Sequence, residues 1–164
     1  MRLIAFIAFS TALAFPALAT GETDPTKWIF VAAAQSDAAP TGLRHALTDK
    51  PLEFKYRTDQ TITPQVKEFL QTGTNPYKGD DAALAGGKKV YRKLCQACHL
   101  KDGKGRIGPN LTDEKWTRKR TDTELGRFEI IYGGGAGAMQ AFGRRIDQDD
   151  ILKVMVYIDT FRGK

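Results

Sequence analysis

The rhythm of apolar residues changes along the chain. After Met1-Arg2, the run Leu3 to Phe15 is almost wholly apolar, broken only by Ser10 and Thr11, and Ala17-Leu18-Ala19 follows it. A basic start, a short apolar stretch and small residues before a cleavage point read as a secretory signal peptide, residues 1–19. The run is shorter than the ~20 residues needed to span a bilayer, and no later stretch reaches that length. Leu52-Glu53-Phe54-Lys55-Tyr56 alternates as a half-exposed strand does, the basis for a small hairpin. Thr63-Pro64 is a helix start, with Thr63 as cap. A short helix from Pro64 to about Leu70 sets Val66 and Leu70 on one side, and Gly73 ends it.

Beyond residue 80 the period is helical. Asp81 can cap a helix running to about Gln96. Thr121 with Glu124 three residues on is a capping box, and the helix it opens carries Leu125, Phe128, Ile131 and Tyr132 until Gly133-Gly134-Gly135. Asp147, with Asp150 three on, starts a last helix bearing Ile151, Val154, Met155 and Ile158 on one face. For most of these stripes core packing is the expected role. The pattern therefore gives three segments: the signal peptide 1–19, an N-terminal extension 20–80 with a short helix and a small hairpin, and an all-α domain 81–164 of three main helices.

Charge and composition sharpen this picture. The chain holds 25 Lys plus Arg against 19 Asp plus Glu, a net +6, with two cysteines and two histidines. Two cysteines exclude a disulfide-dense scaffold. From Lys88 to Arg120 there are eleven basic and three acidic residues. Such a stretch is ordinarily a solvated face; beside a functional site it would steer an acidic partner. Nucleic acid fits poorly with an exported chain.

The chemistry sits in Cys95-Gln96-Ala97-Cys98-His99, a C-x-x-C-H run, the signature of covalent haem attachment. Two thiols three residues apart at a helix end reach the two vinyl groups of one haem, and the adjoining histidine is held under the iron. Three other readings compete. A thioredoxin-like pair needs a βαβ setting. A structural zinc needs four ligands, and only Cys95, Cys98, His99 and distant His45 exist. A plain disulfide leaves His99 without a role. For a second axial ligand, Met155 lies in an apolar stripe, where gap-filling is usual. Met139 lies in the small-residue loop Gly134 to Gly143, 40 residues past His99. It is preferred over His45, and a Met/His pair would raise the reduction potential relative to a bis-His iron. Trp116, Arg118 and Arg120 are candidates to reach a haem propionate.

Residues 81–161 resemble a class I cytochrome c. Gly87, Tyr91 and Cys95 stand at that family's four-residue spacing. The resemblance implies that Gly87 lets the last helix cross closely, with Val154 and Tyr157 as partners. Gly108-Pro109-Asn110-Leu111 is similar to the loop whose proline carbonyl orients the proximal imidazole. The run Val66 to Tyr77, Trp116 in Asp113-Glu114-Lys115-Trp116, and Tyr132-Gly133-Gly134 extend the likeness, from about Leu43 onward, to cytochrome c-L. That family is the periplasmic electron acceptor of PQQ-dependent methanol dehydrogenase. The basic charge, and an end close behind the last helix, point to the lanthanide-dependent form of that enzyme.

The expected protein is thus not an enzyme but a periplasmic carrier with one haem c. Cys95 and Cys98 are the attachment sites, and His99 and Met139 the iron ligands. A PQQ-dependent methanol or alcohol dehydrogenase is its donor, and a downstream cytochrome or oxidase its acceptor. The competing functions are a general shuttle to a terminal oxidase, which needs only 81–164, and a haem sensor or enzyme, which needs an open iron.

Overall fold

A computed structural model describes residues 42–116 and 118–162. The signal peptide expected over 1–19, and the extension up to residue 41, lie outside the described residues.

Thr63 adopts extended backbone and its hydroxyl accepts from the Val66 amide at 3.3 Å, opening α1 (Pro64–Thr72) with proline where no amide is needed. Gly73, at φ 71°, closes it. Val66 and Phe69 are the buried pair on this helix, and Leu70 stays at the edge. The side chain of Asp80, rather than the expected Asp81, caps α2 (Asp81–Leu94) by accepting from Ala83. The helix stops before the expected Gln96: Cys95 takes φ −109°, and a four-residue turn, α3 (Gln96–His99), continues from it.

The capping box expected at Thr121 is replaced by a later start. Thr121 sits inside a 3-10 turn (Lys119–Asp122), where its hydroxyl donates to the Arg118 carbonyl at 2.6 Å. Thr123 caps α4 (Glu124–Gly133) through the Gly126 amide. Glu124 reaches to the Asn75 amide and Lys78 instead of back to the cap. Helix α5 (Gln148–Asp159) begins after Asp147 and buries Ile151, Leu152, Val154, Met155 and Ile158.

The protein is thus all-α, with α2, α4 and α5 as its main helices. The tightest packing joins α2 to α5. A Cβ on Gly87 would lie 2.0 Å from the Lys153 carbonyl oxygen and 3.1 Å from Val154 Cα. Tyr91 meets Tyr157 edge-on, with ring centroids 5.3 Å apart. The close crossing expected from Gly87 is present with both expected partners.

Residues 52–56 keep the predicted alternation: Leu52 and Phe54 are buried, Glu53 and Lys55 exposed. Among the described residues the strand pairing is missing. A single antiparallel bridge, Arg44–Pro51, stands where the hairpin was expected. The Tyr132 hydroxyl takes the ladder's place at Lys55, accepting from its amide at 2.8 Å and donating to its carbonyl at 2.9 Å. Phe54, Phe69, Phe128 and Tyr132 form one aromatic cluster, so the described portion of the extension shares a core with α4.

Candidate haem site

The loop after α3 folds back on the motif that precedes it. The Cys98 carbonyl accepts from both Arg106 and Gly108 amides at 3.1 Å, and the His99 carbonyl from Gly105 at 3.1 Å. Gly105 has φ 81°, and a Cβ there would meet the backbone of Gly108 to Asn110 within 2.7 Å. This return sets the Pro109 carbonyl 3.0 Å from His99 Nδ1. A carbonyl only accepts, so Nδ1 carries the proton and Nε2 keeps a free lone pair. Gly108 floors the ring: a Cβ on it would lie 2.5 Å from His99 Cε1.

The second loop follows α4. Gly134, at φ 87°, turns the chain, and the Gly135 amide closes the loop on the Met139 carbonyl at 3.0 Å. Met139 Sδ lies where a Cβ on Gly135 would come within 2.9 Å. Phe142 and Gly143 then bond back to the Ile131 and Tyr132 carbonyls, anchoring the far end to α4.

These loops, with α4 and α5, enclose a cavity of about 540 Å³. All four expected site residues, Cys95, Cys98, His99 and Met139, line it. His45 does not; its Nδ1 accepts from the Leu47 amide. Met155 also lines the wall, from the buried face of α5. Both cysteines are free, and burial pushes the Cys95 thiol up to about 11, aided by neighbouring Cys98, so it stays protonated at neutral pH. Among the described residues no cluster of three or more His, Cys, Asp or Glu could hold a metal, and no strand adjoins the cysteines.

Of the three candidate propionate partners, Trp116 and Arg118 line the cavity and Arg120 does not. Arg120 is committed elsewhere, gripping fully buried Glu129 at 2.5 and 2.6 Å and donating to the Gly42 carbonyl. Sequence reasoning missed Arg127, which lines the cavity from α4. Its signal was present: Arg127 and Glu129 are the charges in an otherwise apolar helix interior, and buried charges need partners. Lys93, Lys115 and Arg145 line the cavity as well, and among the described residues no carboxylate does.

The wall suits an anionic, largely apolar macrocycle. Trp116 Nε1 and Arg127 Nε are buried donors with no hydrogen-bond partner among the described residues, and both residues line the cavity. A haem brings a hydrophobic ring for the apolar wall and propionate oxygens for these donors.

An all-α fold closed around one C-x-x-C-H cavity defines a carrier of a single covalent haem. A family model described as cytochrome c oxidase, cbb3-type, subunit III matches residues 82–158. Cytochrome c-L of Methylorubrum extorquens is 33% identical over 131 residues, covering 77% of this chain and 66% of the relative. Two crystal structures are similar: cytochrome cL from Hyphomicrobium denitrificans (34% identity, TM-score 0.68, 71% of each chain) and cytochrome CL from the marine methylotrophic bacterium Methylophaga aminisulfidivorans (30% identity, TM-score 0.69, 72% of this chain and 79% of that one). The chain spans about two thirds of the Methylorubrum relative and less than half of a cbb3-type subunit, FixP, from Bradyrhizobium. The chain belongs to the class I c-type cytochromes and, within them, resembles cytochrome c-L. Its cofactor is haem c, and its role is that of a mono-haem electron carrier. Among the described residues no helix is long and apolar enough to cross a membrane.

Proposed function

We propose that this protein is a periplasmic one-electron acceptor for a PQQ-dependent methanol or alcohol dehydrogenase, exported by cleavage near Ala19. It passes the electron to a downstream cytochrome or oxidase. In this reading Cys95 and Cys98 would hold the haem through thioethers, and His99 Nε2 and Met139 Sδ would bind its iron. Bound there, the haem supplies a one-electron Fe(III)/Fe(II) couple. The chain's own residues do the rest. Pro109 fixes the imidazole, Gly108 lets it sit close, and the apolar wall excludes water. With His99 and Met139 both committed to the iron, the chain would leave no seat for a substrate, and the protein would act as a carrier rather than an enzyme.

The observation that carries this reading is the single cavity in which Cys95, Cys98, His99 and Met139 meet. The choice of donor rests on the likeness to cytochrome c-L and on the methylotrophic source of one solved relative. The exposed cations lining the cavity, Lys93, Lys115 and Arg145, with exposed Ile107 beside them, form a surface that would draw an acidic partner.

The test mixes the purified oxidised protein with a quinoprotein methanol dehydrogenase and methanol, and follows haem reduction by stopped flow. Reduction at a rate that falls with added salt is expected. Reduction by other cytochromes, but never by the dehydrogenase, would leave the general shuttle, the reading favoured by the match that covers only 82–158.

A further inference from the structure

Arg127 leaves α4 with a side chain only 8% exposed, yet its guanidinium is only partly engaged. One terminal nitrogen donates to the Asp122 carbonyl at 3.2 Å, the other stands 3.6 Å from Asp159 Oδ1, and Nε has no hydrogen-bond partner among the described residues. Trp116 lies under it, 5.5 Å from guanidinium carbon to ring centroid, and Arg162 faces the same ring at 5.0 Å. Arg127 and Trp116 line the cavity; Asp159, at the end of α5, stands behind Arg127. The cavity, a buried cation and a carboxylate therefore stand in a row.

Arg127 is permanently charged, so of this chain's own side chains in the row the one that can change charge is Asp159. We propose that Asp159, acting through Arg127, is a redox-linked proton site: it binds a proton when the cavity gains an electron and releases it when the electron leaves. This rests on the reading that the cavity holds the haem. The balance is simple. One electron arrives from the dehydrogenase or, in the test, from an electrode; up to one proton arrives from solvent. The only bond formed is the O–H on Asp159, and reoxidation reverses both.

Two features support the assignment. Burial holds the Asp159 carboxyl above the ordinary carboxylate range, against the pull of Arg127, Arg162 and Lys78 and with the push of Glu124. These are the charged groups that face it, Arg127 and Glu124 from α4, Arg162 beyond α5 and Lys78 ahead of α2. Asp159 Oδ1 is also buried without a hydrogen bond among the described residues, with the Arg127 guanidinium nitrogen standing off at 3.6 Å, so the ionised form is held by charge alone at this oxygen. The sign follows. An anion beside the cavity favours the oxidised state. The potential is therefore higher at low pH, where Asp159 is neutral, and lower at high pH, where it is ionised.

The experiment is a redox titration of the holoprotein between about pH 4 and pH 8, where a raised carboxylate titrates. In the wild type the potential should fall with rising pH, by at most ~59 mV per unit, the slope for one proton per electron. Asp159→Asn should hold the high, low-pH value throughout. Arg127→Gln should move the fall to higher pH; if it does not fold, Asp159→Asn decides alone. A wild-type slope retained in Asp159→Asn places the titration elsewhere and overturns the proposal. So does a red wild-type protein whose potential is flat, which leaves the haem reading intact. A colourless protein overturns both.

Discussion

His99 and Met139 differ in how firmly the chain holds them. The imidazole is fixed by the Pro109 carbonyl on one side and packed against Gly108 below. The thioether sits on a loop of small residues, Ala136 to Ala138, exposed to solvent. Substitution at Met139 should thus leave the fold standing and change the metal centre. Met139→Ala is expected to lower the potential and open the iron to cyanide or carbon monoxide. Potentiometric titration and loss of the absorption band given by iron–thioether ligation would check it. Unchanged optical and redox behaviour would remove Met139 from the ligand set. At this scale the meeting of the cysteines and His99 in one cavity was legible, because their spacing along the chain already sets it. Arg127 was not, since its place beside Trp116 depends on how α4 packs against residues 11 positions earlier and on α5.

Helix crossings are where one atom decides the outcome. Gly86 and Gly87 are neighbours on α2, yet their surroundings differ. A Cβ at 87 would meet the Lys153 backbone carbonyl at 2.0 Å, whereas one at 86 would meet the flexible Lys153 Cδ at 3.3 Å. Gly87→Ala must push α2 and α5 away from each other and is expected to cost at least the ~1–3 kcal/mol typical of overpacking. Gly86→Ala should be neutral or stabilise by up to ~1 kcal/mol through helix propensity. Thermal unfolding of the two holoproteins checks the contrast; equal midpoints would contradict it. Elements with a strong local signal, such as Thr63-Pro64 for α1 and the apolar face of α5, were readable in the sequence. Starts that depend on rival hydroxyls were not. Thr121 and Thr123 are both good caps, and the 3-10 turn gives the role to Thr123. The period of Leu52 to Tyr56 gave the buried face of that segment correctly. Its hydrogen-bond partner, the Tyr132 hydroxyl, came from a helix 77 residues away.

On the scale of the molecule, the haem would fill an open-mouthed cavity of about 540 Å³ whose wall is mostly apolar, so the chain alone leaves much of its core surface to water. The Cys95→Ala, Cys98→Ala double variant is therefore expected to be largely unfolded when free of haem. Far-UV circular dichroism and near-UV dichroism read the result; a rigid, cooperative apo form would contradict it. The described portion of the extension also belongs to this balance, since Leu43, Leu52, Phe54, Val66 and Phe69 enter the same core as Phe128 and Tyr132. A trimmed protein beginning at residue 81 would thus bare a wall of aromatic rings. Anyone wishing to miniaturise this electron carrier would have to repaint that flank with polar side chains, as well as shorten its gene.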